Sequence, residues 1–111
     1  MESKLFSENR YITRGVSENI DIRIQMVLWY LIDQLRTREY FQLDYLQVFH
    51  TEREIEEGHS YLKITHKQEV EPYNISITIP YDKEVNEKIF VIRSNYEDGK
   101  EYSTMMLAEE Y

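Results

Sequence analysis

The feature that most constrains this sequence is a hydrophobic pattern between Ile20 and Arg36, written IDIRIQMVLWYLIDQLR. Its apolar residues recur every three or four positions, which is the spacing of one face of an α-helix. They are Ile20, Ile24, Val27, Leu28, Leu31, Ile32 and Leu35. The run contains no Gly or Pro, and Ser17 or Asn19 is placed to cap its start. We therefore predict one main helix over residues 20–36.

A second apolar row, made of Ile22, Met26 and Trp29, lies beside the first on the same helix. Two interpretations of this row stay open. In the first, which we favour for Trp29, the helix lies deep in a sheet and the indole is at the margin of the core. In the second, Met26, Trp29 and Tyr30 contact a partner chain, since aromatic residues and Met are enriched at interfaces.

The rest of the chain has the patterns of strands and turns. Leu62, Ile64 and His66 alternate with polar residues, so they are predicted to share one face of a strand. Gly15–Ser17 is predicted as a turn, Thr51–His59 as a charged hairpin loop, and Asp98-Gly99 as a tight turn. The predicted strands are 9–14, Leu43–His50, Tyr61–Gln68, Asn74–Ile79, Lys88–Arg93 and Ser103–Ala108.

The predicted order of elements is therefore β-α-β-β-β-β-β. Short links after the helix favour an antiparallel meander of the last five strands. The fold class is α+β, in two layers, with one main helix packed on a mostly antiparallel sheet of five to six strands. A length of 111 residues fits a single domain over 1–111, in which we expect residues 1–8 to be loose.

The amino-acid composition and the net charge exclude several classes of function. The chain has no Cys, which excludes a thiolate nucleophile and a Cys-based metal site. The net charge is −8, and residues 51–111 carry 14 acidic against 7 basic side chains, which argues against general nucleic-acid binding. The first ten residues lack the apolar region of a signal peptide, and no apolar run is long enough to cross a membrane. We therefore expect a cytoplasmic protein.

Four stretches carry a resemblance to a known family: RYITRGV (Arg10–Val16), LDYLQVF (Leu43–Phe49), KITHKQEVEPY (Lys63–Tyr73) and STMMLAEEY (Ser103–Tyr111). Together they resemble the domain of unknown function 960, a family of small single-domain proteins from Gram-positive bacteria and their mobile elements. The resemblance covers nearly the whole chain, in order. It implies one compact domain in a bacterial cytoplasm, and it supplies no activity and no catalytic residues.

Two groups of residues are weak candidates for binding a ligand. His50 and His66 lie on strands predicted to be neighbours, where nearby Glu residues could join them around a metal or substrate, although the spacing matches no compact metal motif. Solvated or hydrogen-bonded histidines are the commoner outcome. Arg10, Tyr11, Arg14 and Arg23 form the second group, which could bind a single nucleic-acid strand by stacking and phosphate contact. The overall acidity favours ordinary surface charge for these arginines.

The sequence lacks a nucleophile elbow, a phosphate-binding loop and a dinucleotide fingerprint. We therefore expect no catalytic residue, cofactor or metal. Our first hypothesis is a non-catalytic interaction or regulatory module that binds another protein or its own copy. The alternatives are a small-ligand or hydrolytic domain at the His50/His66 hairpin, and an acidic inhibitor that mimics nucleic acid. The last alternative rests on the acidic second half and suits a protein of a mobile element.

Overall fold

The computed structural model describes residues 9–111, so the predicted looseness of residues 1–8 lies outside the described part. Within the described range the chain forms a six-stranded mixed sheet and two α-helices. The strands are β1 (Asn9–Ile12), β2 (Leu46–Glu56), β3 (His59–Gln68), β4 (Tyr73–Pro80), β5 (Glu87–Asn95) and β6 (Glu101–Leu107). The helices are α1 (Arg14–Asn19) and α2 (Ile22–Arg36), and a 3-10 helix over Ala108–Glu110 follows β6.

The predicted main helix is present as α2, which ends at Arg36 as expected but begins two residues later than predicted. Asp21 is the N-cap, and its side chain accepts a hydrogen bond from the backbone N–H of Arg23 at 2.8 Å. The prediction that Ser17 or Asn19 caps the helix is wrong, because both belong to α1. Ile20 is extended and buried, so it separates the two helices while still contributing to the core.

The prediction of a turn at Gly15–Ser17 is also wrong, since this stretch lies in α1. The side chain of Thr13 caps α1 by accepting a hydrogen bond from the N–H of Val16. Glu110, from the 3-10 helix, accepts hydrogen bonds from Thr13 and from the Gly15 N–H at 2.6 and 3.0 Å. A Cβ at Gly15 would lie 2.5 Å from this carboxylate, so glycine permits the contact. A tertiary contact therefore overrides the helix-breaking tendency of Gly15.

The order of strands in the sheet is β1-β6-β5-β2-β3-β4. β1 is parallel to β6 and the other four pairs are antiparallel, which confirms a mostly antiparallel sheet. The predicted meander is wrong, because β5 pairs with β2 and not with β4. The reason is the length of β2: its first six residues pair with β5, while Val48–Glu56 pair with β3. Both edges of β2 are thus used, as its predicted central position requires.

The β2–β3 hairpin is longer than predicted. The loop expected over Thr51–His59 is mostly strand, and only Glu57 and Gly58 form the turn, with φ angles of 51° and 82°. Charge suggested a loop here, but the hairpin extends into solvent, where charged residues are accommodated on both faces. Of the two predicted turns, Asp98-Gly99 does lie between β5 and β6, with a positive φ at Gly99.

Alternation along the strands divides the sheet into two faces. Leu62, Ile64 and His66 are all buried and lie on one face, as predicted. This helix-side face shares one buried cluster with α1 and α2; the members of the cluster are Val16, Ile20, Ile24, Leu28, Leu31, Ile32, Phe49, Leu62, Ile64, Tyr81, Ile89, Val91, Met105 and Leu107. The opposite face, which we call the outer face, contributes none of these residues.

Candidate interaction surface

The solvent side of α2 carries a row of large apolar side chains. Ile22, Met26 and Tyr30 are spaced four residues apart and are 62%, 63% and 58% exposed. Residues four apart lie above one another on a helix, so the three side chains form one stripe. Trp29 is half-buried and packs against the core cluster beside this stripe. Trp29 therefore lies at the core margin, while Met26 and Tyr30 extend outward from it.

An ion pair between the sheet and the helix packs against the ring of Trp29. Arg10, on the helix-side face of β1, bonds to the carboxylate of Asp33 on α2. The guanidinium of Arg10 also lies 4.7 Å from the centre of the Trp29 ring, which is a cation–π contact. Since Asp33 is buried and Arg10 is largely shielded, the pair holds the guanidinium against the face of the indole.

These side chains line a shallow groove of about 490 Å³. Its lining residues are Arg10, Met26, Trp29, Tyr30, Asp33, Gln34 and Thr37. We call it the α2 groove. The sequence placed Met26, Trp29 and Tyr30 together, and the structure brings them to the same groove. The sequence did not indicate Asp33, whose pairing with Arg10 depends on how β1 lies against α2.

The predicted nucleic-acid set is not assembled into one surface. Arg10 and Tyr11 are consecutive residues of β1, so their side chains lie on opposite faces of the sheet. Arg14 pairs with Glu18 at 2.8 Å, and Arg23 pairs with Asp21 at 2.9 Å.

Each of the three arginines therefore has an acidic partner. Hydrogen bonds from Arg23 lower the pKa of Asp21 to about 2, so this carboxylate stays charged beside its arginine. Tyr11 hydrogen-bonds to Tyr96, and this bond raises the pKa of the Tyr11 hydroxyl.

The two strand histidines are also separated. His66 pairs across the hairpin with Phe49, whereas His50 pairs with Thr65, one position further along β2. His66 is therefore on the buried helix-side face and His50 on the outer face, where it is exposed. Within residues 9–111 no group of three His, Asp or Glu side chains is arranged to hold a metal ion. The geometry does not support a shared site at the His50/His66 hairpin.

His66 belongs to a buried polar cluster that the sequence did not indicate. Its ring stacks on Phe49 with centroids 4.3 Å apart, and its Nε2 donates to Oε1 of Gln47 at 2.7 Å. Nε2 of Gln47 donates in turn to Oε1 of Gln68 at 2.7 Å. Nδ1 of His66 has no hydrogen-bond partner in the described part of the chain. Burial lowers the pKa of His66 to about 4, so the imidazole is neutral at physiological pH.

The cluster closes one end of the core. Nε2 of Gln68 donates to the carbonyls of Gln42 and Glu71 at 3.0 and 2.9 Å, which joins the connector after α2 to the β3–β4 turn. Such a cluster satisfies buried backbone groups and orders two loops. Between residues 9 and 111 the imidazole has no hydrogen bond to a carboxylate. Strict alternation back from Phe49 would have placed Gln47 inside.

The outer face holds a second group of residues that the sequence did not single out. Phe90, Ile92 and Met106 lie side by side on β5 and β6 and are half-buried. Tyr102 packs edge-on against Tyr11, with ring centroids 5.8 Å apart. This part of the sheet is therefore apolar although it lies outside the core cluster.

Comparisons with known proteins agree with the fold. The model of the family DUF960, described as a staphylococcal protein of unknown function, matches residues 9–110. A crystal structure of a protein of unknown function from Enterococcus faecalis is similar at a TM-score of 0.68 and 21% identity. The alignment covers 100% of this chain and 98% of that one. No curated protein matches. Between residues 9 and 111 no helix has the length and apolar character needed to cross a membrane.

Proposed function

The chain belongs to the domain of unknown function 960 family, and from its surface we propose that it is a non-catalytic module that binds another protein through the α2 groove. The observation that supports this most is the exposed stripe of Ile22, Met26 and Tyr30 beside a fixed Trp29. We propose further that it acts in the bacterial cytoplasm, where proteins rarely contain disulfides and a chain without cysteines is in keeping. The mobile-element origin implied by the family resemblance remains part of this proposal.

The groove has the composition of a binding hot spot. Aromatic residues and arginine dominate such sites, and the rigid aromatic rings bury a large area at a low cost in side-chain entropy. Trp29 is already ordered by Arg10 and Asp33, so little of its freedom is lost when a partner binds. Met26 and Tyr30 have most of their surface still to bury. The groove is open and shallow, which suits a protein segment better than a small molecule.

The acidic-mimic alternative rests on a separate observation. Glu52, Glu54 and Glu56 alternate along β2 and are all exposed on the outer face of the hairpin. Side chains two residues apart in a strand are about 6.6 Å apart, so the three carboxylates form a regular row. If this row is the binding element, neutral replacement of all three glutamates abolishes partner binding and changes at the α2 groove do not.

The proposal is tested by photo-crosslinking at a defined position. A photoreactive residue in place of Met26 is compared with the same residue in place of Ser76, which is exposed on β4. We expect a discrete cross-linked species in bacterial cytoplasm from position 26 only. It should be lost with Tyr30→Glu and strongly reduced with Trp29→Ala. Equal capture from both positions, or no capture from position 26, contradicts the proposal.

A further inference from the structure

The outer face of the sheet is divided into an apolar part and a polar part. The apolar part, which we call the outer patch, consists of Leu46, Val48, Phe90, Ile92, Tyr102 and Met106. All six are half-buried, and none belongs to the core cluster. Tyr11 extends the patch at the β1 edge, where it is 46% exposed. Four adjacent strands thus contribute to one largely apolar surface, which two outward polar residues, Ser94 and Thr104, interrupt beside Tyr102.

The part of the outer face on β3 and β4 is polar, so apolar residues are not a general property of this face. On β3 and β4 the outward positions are occupied by Lys63, Thr65, Ser76 and Thr78. Antiparallel sheets with one solvated face normally have polar residues over that whole face. On β6, β5 and the first half of β2, apolar residues hold most of the outward positions, and Lys88, Ser94 and Thr104 are the polar exceptions. A local exception of this kind indicates a contact surface.

The charged residues at the borders of the outer patch indicate which molecule would cover it. Lys88, in register with His50, lies at the end of the patch nearest the β2–β3 hairpin, and Lys67, in register with Val48, borders the patch on β3. Asp44 lies at the opposite end, two residues before Leu46, and its negatively charged carboxylate accepts hydrogen bonds from the backbone N–H groups of Tyr45 and Val70. A two-fold axis that runs across the strands would bring the Asp44 end of one chain over the lysine end of another. The patch is therefore complementary to a copy of itself in both hydrophobicity and charge.

We propose that a second copy of this chain docks on the outer patch, so that two sheets pack face to face. The inference is independent of the proposed function, because the α2 groove lies on the other side of the sheet. Four strands about 4.8 Å apart and about six residues of each give a patch of roughly 400 Å². Two such patches bury about 800 Å², which is below the roughly 1,000 Å² of a stable specific dimer and fits a weak one.

The acidic net charge does not prevent this contact. The row of Glu52, Glu54 and Glu56 lies on the hairpin, beyond the border formed by Lys88. With the axis through the patch, the two acidic hairpins extend to opposite ends of the dimer and stay in solvent. Each dimer would then present two α2 grooves on its outside.

The test is the solution mass as a function of concentration, by sedimentation velocity or light scattering. We expect the mass to rise from the 13.6 kDa of one chain toward twice that value over the micromolar to millimolar range. Ile92→Asp places an unpaired charge in the contact and should raise the dimer Kd at least about 100-fold. The matched control is Thr78→Asp, on the polar part of the same face, which should dimerise like the parent chain.

Three outcomes would overturn the inference: a parent chain that stays monomeric at millimolar concentration, an Ile92→Asp variant that dimerises normally, or loss of the dimer through Met26→Asp. The last result would place self-association in the α2 groove. Circular dichroism and thermal melting confirm that each variant is folded. If Ile92→Asp unfolds, Lys88→Glu replaces it and should weaken the dimer most at low salt. Loss of partner binding with an intact dimer refutes the proposed function and leaves this inference standing.

Discussion

The two faces of the sheet are built by the same alternation of residues but differ in what packs on them. Phe49, on the helix-side face of β2, is fully buried and stacks on His66. Phe90, on the outer face of β5, is half-buried and touches Tyr111, with ring centroids 5.7 Å apart. Pattern therefore decides which side chains share a face, whereas burial depends on the elements that cover it. The helix-side face holds the fold together, and the outer face keeps apolar area that the helices do not cover.

The largest expected difference between the faces is in stability. Phe49→Ala should lower the free energy of unfolding by about 4 kcal/mol, because it leaves a cavity in a closed core. Phe90→Ala should lower it by only about 1 kcal/mol in the monomer, since its ring loses less buried area. Urea denaturation of dilute protein measures both values. Equal losses for the two variants would contradict the distinction between the faces.

The second expected difference is in how the free energy of unfolding responds to acid. It separates His66, on the helix-side face, from His50, on the outer face. Because burial lowers the pKa of His66 to about 4, the unfolded chain, with an ordinary value of 6.5, takes up this proton first. The contribution of the neutral His66 to the free energy of unfolding is therefore fully present above pH 6.5. About 3 kcal/mol is lost as the pH falls from 6.5 to 4. Asp21 adds its own loss only lower, between pH 3.8 and about 2.

Denaturation curves between pH 7 and pH 4 measure this effect. A His66→Gln variant should lose most of the slope, while His50→Gln should keep it. If His66→Gln retains the slope of the parent chain, another group carries the acid sensitivity and the account of the polar cluster fails.

The smallest expected effect compares a shielded ion pair with an exposed one. Asp33→Asn leaves Arg10 without its carboxylate under Trp29 and should cost about 2 kcal/mol, between the values for surface and fully buried pairs. Glu18→Gln removes the exposed partner of Arg14 and should cost less than about 0.5 kcal/mol. Trp29 fluorescence should change only in the first variant. A similar small cost for both would mean that the indole is not held by the pair.

The sequence predicted the parts of the fold that depend on local pattern. The helical repeat predicted α2, and the alternation of Leu62, Ile64 and His66 predicted which side of β3 is buried. It missed α1, because the contact between Gly15 and Glu110 joins residues 95 positions apart. Strand order was missed for a similar reason: nothing local shows that β5 pairs with β2.

The candidate surface was predicted to a similar extent. The second row of the helix indicated Met26, Trp29 and Tyr30, since helical spacing alone places them together. The role of Arg10 was missed, because it depends on a contact with Asp33 that only the fold creates. The outer patch was missed because it collects one or two residues from each of four strands whose order was not known.

Three methionines provide the most direct test of the claim that the outer face, and not the helix, is buried by self-association. Met105 is fully buried in the core, Met26 is 63% exposed in the α2 groove, and Met106 is half-buried in the outer patch. Mild peroxide oxidation, followed by fragment-ion mass spectrometry, gives a rate for each. As protein concentration rises, we predict that Met106 slows, Met26 keeps its fast rate and Met105 stays slow throughout. A constant Met106 rate, or slowing of Met26 in its place, would contradict the claim.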